Sequence, residues 1–348
     1  MEAFVLIDPL LPTGAFAHSL GLEPARIARA VGTLDETSRE ASRAVETYAR
    51  ECAQSAIDGQ LPFALAARAL AVRANEKRAR EGDEDGTTRA WRAANAECAA
   101  LCASNAVNRR ASAGTGAALL RASIVAFGED RSWYLRAIKR TLRRPPPLGL
   151  GEAHHACVFG AVSAIANLDA EACARAYVYC IMRDVCSAAT RLNASGPLET
   201  VAALRRCVED AEAACAVAVA EFNASTVRAS TIDDDDDDDD DAIMNYLRRA
   251  PATSAPIYEA VQGAHDHARA RASSTPSLRV ARTSSTARAR ASRCIFIHSC
   301  IFILCTSLAR IRERANSRVK RSLRVRVSAA LSEISSISTP TVYPYQKI

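Results

Sequence analysis

The sequence predicts an all-α protein: a single helical-bundle-like domain of about eight to ten helices over residues 1–272, then a disordered basic tail over 273–348. Three observations predict it. Hydrophobic residues make up 49% of the chain and alanine dominates them, while aromatics reach only 5%. Helix breakers are few, with 14 Gly and 13 Pro in 348 residues, so the long Ala/Arg/Glu/Leu stretches read as helices. After Ala272 the composition turns abruptly to Ser/Thr/Arg repeats with no periodic core-forming pattern.

Residues 1–32 read as a short apolar segment, a Pro/Gly turn and the start of a helix. Thr33-Leu-Asp-Glu36 has capping-box spacing, so a helix runs from Glu36 to about Ile57. A second starts near Leu61-Pro62, where proline suits a first turn, and reaches about Arg80. Glu81–Thr88 is a charged, glycine-punctuated loop, followed by helices over about Arg89–Asn108 and Gly116–Phe127. Arg143–Gly151 holds three consecutive prolines and cannot be helical. Glu152–Asn167, Ala170–Leu192 and Leu198–Val227 are the next three helices, with Asn193–Pro197 breaking the last two apart. The nine aspartates Asp233–Asp241 repel one another, so 231–241 is expected to be a disordered acidic loop. Pro256–His267 closes the domain as an amphipathic piece.

Charge divides the chain. From Arg269 onward it carries 16 basic residues against two acids, whereas the remainder is net −8. The body is therefore no basic nucleic-acid binder, and such a function would rest on the tail alone. The apolar patch Cys294–Leu308 is shorter than the roughly 20 residues a spanning helix needs, so no membrane is implied. Twelve scattered cysteines sit among small apolar residues, as at Cys173, Cys180 and Cys215, and nothing resembling a signal peptide precedes them. They read as buried small hydrophobes of a cytoplasmic protein.

Chemistry-bearing motifs are scarce. Gly114-Thr-Gly116 lacks the lysine of a phosphate loop, and there is no GxSxG elbow and no CxxC pair. Cys98 and Cys102 share a helix face four residues apart, with no second ligand pair nearby in sequence, which favours a structural role. Adjacent His154 and His155 diverge by about 100° on a helix, leaving one at a boundary and the other facing solvent. His265 and His267 do not converge either. These residues define no catalytic site, cofactor site or metal site, and they point to binding or scaffolding. A small hydrolase or metal enzyme using His154, His155 and Cys157 is the catalytic alternative. The nucleic-acid-binding tail is the other.

Three stretches carry more information: Leu11–Glu23 (LPTGAFAHSLGLE), His154–Val162 (HHACVFGAV) and Arg183–Glu199 (RDVCSAATRLNASGPLE). On the third, Arg183, Ser187 and Arg191 lie four apart along one stripe, which could face solvent, a helix C-terminus or a partner. Physics alone favours solvent.

In this order and spacing the stretches resemble the urease accessory protein family UreF. Asp8, Pro12, Thr13, Gly14, Phe16, His18, Ser19, Gly21, Leu22 and Glu23 match its first motif. His154, Val158, Phe159, Gly160 and Ala161 match the second, and Arg183, Asp184, Ser187, Ala188, Ala189, Arg191, Leu192 and Gly196–Glu199 the third. Ile257–Asp266, with Gln262 and His265, is similar to the family's closing segment. Ala15 departs from the usual second glycine, Gly116-Ala from the usual Gly-Arg, and His267 onward from the usual ending. The resemblance implies a helical homodimer without catalysis of its own. It would pair with UreD/UreH, recruit the GTPase UreG and dock on apo-urease; nickel would pass through the complex and GTP would stay on UreG. Partner contacts are expected at Pro12, Gly14, Phe16, His18, Glu23, His154, Arg183, Ser187, Arg191, Gln262 and His265.

Overall fold

A computed structural model describes residues 2–15, 18, 20–27, 38–81, 88–143, 151–227 and 236–249, all within one compact unit, Met1–Arg279. The capping box Thr33–Glu36, the helix expected at Pro256–His267 and the tail 273–348 with its apolar patch lie outside the described residues. Among the described residues there are helices and no strands: α1 (Glu2–Ile7), α2 (Leu22–Ile27), α3 (Ser38–Gly59), α4 (Leu61–Glu81), α5 (Arg89–Leu101), a 3-10 turn (Cys102–Ser104), α6 (Ala106–Ala126), α7 (Gly128–Arg131), α8 (Trp133–Leu142), α9 (His155–Ile165), α10 (Ala170–Arg191), α11 (Pro197–Val227) and α12 (Asp236–Arg249). The all-α expectation holds. Three short helices, α1, α2 and α7, raise the count beyond the expected eight to ten. None of the described helices is long and apolar enough to cross a membrane.

The centre of the molecule is α9. Residues Ala156 to Ile165 are all buried, as a helix apolar on every side requires. It packs most closely along α4, then against α6, with α5 and α10 at its flanks. Two glycines make this packing possible. A Cβ on Gly160 would stand 2.0 Å from the Ala64 carbonyl oxygen of α4, and one on Gly116 of α6 would stand 2.0 Å from that of Ala153. Backbone therefore meets backbone at both crossings, closer than any side chain permits. Around them Phe159, Tyr177, Trp91, Tyr134, Leu65 and Leu119 are fully buried, each removing apolar surface worth roughly 1.5–3 kcal/mol.

Helix ends follow simple rules. Asp169 caps α10, accepting from Ala172 N–H at 2.7 Å. Both α9 and α10 end on an asparagine in the left-handed region, Asn167 (φ 54°) and Asn193 (φ 51°). The next residue's N–H returns to the carbonyl five back, Leu168 to Ser163 at 2.9 Å and Ala194 to Ala189 at 2.8 Å, which makes both ends Schellman caps. Arginines finish the job. Arg68 donates to Leu168 O at 2.6 Å, and Arg26 to Leu192 O at 2.8 Å, each placing a cation at a helix C-terminus.

Four expectations change. The helix expected over Arg89–Asn108 breaks earlier, because Asn105 leaves helical geometry and caps α6, accepting from Asn108 N–H at 3.0 Å. The helix then continues through Gly114 and Gly116; Gly116 serves packing rather than a turn, whereas a Cβ on Gly114 would meet nothing within 4 Å. The ten-residue α8, unforeseen between Gly128 and the proline loop, buries Trp133, Leu135 and Ile138. Of the acidic loop 231–241, the part from Asp236 is helical and opens α12. Acids are favourable at a helix N-terminus; Asp240 approaches Arg73 at 3.5 Å, and Ile243, Met244 and Leu247 behind it are buried.

Candidate functional site

The segment between α1 and α2 is held at both ends by α10. The Arg183 guanidinium donates to the carbonyl of Ile7, the last residue of α1, and to Asp184 Oδ1 at 2.8 Å. Arg26 of α2 donates to Leu192 O, the C-cap of the same helix. Inside this clamp the chain turns at Asp8, whose Oδ1 accepts from Leu10 N–H at 2.7 Å, and Tyr48 of α3 donates to Leu20 O at 2.7 Å. Two stretches separated by 160 residues of sequence thus form one unit.

That unit roofs a half-open cleft. Ala15, His18 and Leu20 line it from the turn, Glu51, Cys52 and Ser55 from α3, Asn108, Ser112 and Thr115 from α6, His155 from α9 and Asp184 from α10. All three informative stretches reach it. His155 is half-buried and stacks against Phe159 and Tyr177, with ring centres 5.8 and 5.4 Å away. Burial, helped by the nearby Arg183 charge, pushes its pKa down to about 4, so the imidazole is neutral near pH 7. Tyr177 Oη donates to Gln60 Oε1 at 2.7 Å. Burial raises the Asp184 carboxyl above its ordinary value, opposed by Arg183, and pushes the Cys52 thiol up to about 12. A thiol so raised is no nucleophile. Glu51 Oε2 is buried with no hydrogen-bond partner. The cleft can accept and donate hydrogen bonds, and its groups are poorly tuned for acid–base or covalent chemistry at neutral pH.

The residues expected to touch partners separate into groups. Pro12 and Arg191 are exposed, and Gly14 sits in the turn at φ +72°. His18, Glu23 and Ser187 are half-buried, His18 within the cleft. Arg183 is turned inward to the C-terminus of α1, where the Ile7 carbonyl accepts from it; this corrects the solvent-facing reading for Arg183, while Arg191 of the same stripe is exposed. His154 is fully buried and so presents nothing to a partner's surface; its backbone N–H donates to Asn95 Oδ1 at 3.0 Å inside the fold. His155 packs on aromatic rings and does not face open solvent as expected. Phe16, Gln262 and His265 lie outside the described residues.

Sequence reasoning assigned no metal ligands, yet the fold brings Cys98, Cys102 and His154 together, their ligand atoms all within 4.8 Å of one another. The 51 residues between Cys102 and His154 hid this. Only the i, i+4 cysteine spacing pointed to it. The described cysteines are free, and all but Cys52 are buried, as expected of small apolar residues.

Comparison with known proteins agrees with this organisation. A family model described as UreF matches residues 40–208. The chain is similar to urease accessory protein F of Oryza sativa subsp. indica, 33% identical over 207 residues that span 60% of this chain and 68% of the relative. The subsp. japonica protein gives the same figures. Urease accessory protein F of Arabidopsis thaliana is 32% identical over 195 residues, 56% of this chain and 68% of the relative.

Proposed function

This chain belongs to the UreF family and has a urease accessory role, and from that premise we propose that it is a non-catalytic scaffold of urease maturation. In this reading it is a cytoplasmic homodimer that pairs with UreD/UreH and recruits UreG. The assembly supports GTP-dependent nickel insertion into apo-urease. GTP belongs to UreG, and nickel is cargo that this chain does not hold stably.

The observation that carries the reading is the clamp of α10 on the α1–α2 segment. It fixes the first and third motifs as one rigid surface, with Pro12 and Arg191 exposed on it. Just beyond, at the start of α11, Leu198 and Val201 are 83% and 66% exposed. They stand three residues apart on one helical face, as anchors for a partner do. The Cys52 and His155 environments favour recognition over catalysis.

The test is co-expression of the full chain with UreD/UreH and UreG, followed by sizing with and without GTP. A complex containing all partners is expected, with GTP turnover absent from the isolated chain. Replacing both Leu198 and Arg191 by Glu should abolish the complex while leaving the melting temperature within about 4 °C of wild type, since each exposed substitution costs about 0.5 kcal/mol or less. A wild-type chain that captures neither UreD/UreH nor UreG sinks the proposal.

A further inference from the structure

We infer that Cys98, Cys102, His154 and Cys157 form a closed tetrahedral site that takes one zinc ion and ties α5 to the start of α9. This inference is independent of the scaffold reading. Cys98 and Cys102 stand on one face, at the last turn of α5 and the 3-10 turn that extends it. Opposite them, His154 is the residue before α9 and Cys157 follows one turn later. The ligand atoms of Cys98, Cys102 and His154 already lie within 4.8 Å of one another. Tetrahedral zinc with bonds of about 2.0–2.3 Å separates its ligand atoms by about 3.3–3.8 Å, so closing these three on an ion needs a contraction of about 1.5 Å at most. Cys157 is buried and acts electrostatically on Cys98; it lies outside the 4.8 Å group and would move in to serve as the fourth ligand.

A second observation points to a missing ligand. His154 is fully buried, and its Nε2 has no hydrogen-bond partner; the nearest carboxylate oxygen, Glu152 Oε2, stands off at 3.5 Å. A buried imidazole nitrogen left unpaired is costly unless something binds there. The other nitrogen, Nδ1, is 3.3 Å from Ser112 Oγ, which fixes the ring as outer-shell partners of metal-binding histidines do.

The surroundings are built for the same purpose. Trp91, Asn95, Cys98 and Cys102 form one stripe of α5 at spacings of four, three and four. Trp91 Nε1 donates to Cys157 O at 3.1 Å. Asn95 accepts from His154 N–H and donates to Glu152 O at 2.9 Å. Every polar group of the stripe therefore grips the chain that carries His154 and Cys157.

The donor set selects the ion. Thiolates with one imidazole in tetrahedral array suit zinc, whereas nickel(II) favours square-planar or octahedral arrangements. Exposure of the four side chains is at most 3%, which marks a closed structural site rather than a transfer site. On binding, each thiol releases its proton to solvent, and three thiolates with Zn²⁺ leave one negative charge. The N-terminus of α9 and the Arg109 guanidinium, which acts electrostatically on Cys102, offset it.

The experiment is elemental analysis of the full chain, purified without a metal-affinity tag. About one zinc per chain is expected. Cobalt(II) exchanged into it should show the visible bands of tetrahedral thiolate coordination. Cys102→Ser and Cys157→Ser should each lose stoichiometric zinc, while Cys215→Ser, in α11 and remote from the cluster, should keep it. Should the ligand variants fail to fold, the wild type still decides: a strong chelator should lower its melting temperature and zinc should restore it. A folded, metal-free chain whose melting temperature ignores both chelator and zinc overturns the inference, as does stoichiometric copper(I) in place of zinc.

Discussion

Two seams of this molecule are built on opposite principles. Where α9 crosses α4 and α6, the contact is dry and backbone touches backbone through Gly160 and Gly116. Where α3 meets α11, the contact is rimmed by charge. Glu46 accepts from Arg50 at 2.5 Å and from Arg206 at 2.5 Å, and Arg50 donates to Asp210 at 2.6 Å. The first seam is set by shape and tolerates no added atom. The second is set by Arg50, Arg206 and Asp210, which are largely open to water around a mostly buried Glu46, and an ion pair with such exposed partners contributes about 1 kcal/mol or less. Gly160 falls within the second of the three motifs, whereas Gly116 and the ion network fall outside them. A motif residue here can be a steric necessity, as Gly160 is.

Breaking the dry seam should have the largest effect. Gly160→Ala forces a methyl against the Ala64 carbonyl, and only a backbone shift of α9 relative to α4 relieves it. A loss of about 3 kcal/mol is expected, measured as a lowered urea midpoint at unchanged slope. An unaffected midpoint would show that the two helices are not packed this tightly.

Arg183 is the intermediate case, a charge placed in a mostly dry setting. Arg183→Ala leaves the Ile7 carbonyl without its donor and the buried Asp184 without its cation. Such orphaned groups cost about 2–3 kcal/mol together. Because α1 and its turn depend on that contact, proteolysis within residues 8–20 should accelerate more than global unfolding does. Equal acceleration of both would argue that the clamp is not local.

The seams also separate by pH. His155, at the start of α9, has its pKa lowered to about 4 from an ordinary 6.5. The unfolded chain therefore binds a proton before the folded one does. The stability this neutral imidazole contributes is complete above about pH 6.5 and declines as pH falls through the folded value near 4. His155→Gln should flatten the melting temperature between pH 6.5 and 4. A wild type whose stability is level over that interval would contradict the burial that shifts it.

Much of this architecture was legible in the sequence and some was not, for physical reasons. The boundaries of α3, α4, α10 and α11 follow from local signals, such as Pro62, the Asn193–Pro197 break and uninterrupted Ala-rich stretches. Gly116 misled because a glycine in a turn and a glycine at a close backbone approach look alike without knowledge of the opposing chain. The aspartate run misled because repulsion is a local argument, while the helix there is fixed by Ile243, Met244 and Leu247 on the far side of it. Of the cleft, the three contributing stretches were visible but not their convergence. Which way Arg183 turned, and that His154 would meet two cysteines of α5, depend on long-range packing that spacing does not encode.

The smallest effect belongs to the charged seam. The hydrogen bond from Arg206, followed by that from Arg50, holds the Glu46 carboxyl below its ordinary 4.5. A depressed carboxyl contributes stability that is present above its unfolded value and lost as pH falls through the lower folded one. That window lies below about pH 4.5, beneath most of the His155 window. Glu46→Gln should thus change stability by no more than about 1 kcal/mol at pH 7 and weaken the acid-side decline below pH 4.5, leaving the slope between 6.5 and 4.5 intact. Raising salt should shrink even that difference, whereas the Gly160→Ala deficit should persist, since screening acts on exposed charges and not on a blocked backbone approach. Salt sensitivity of both variants alike would mean that the two seams do not differ in kind.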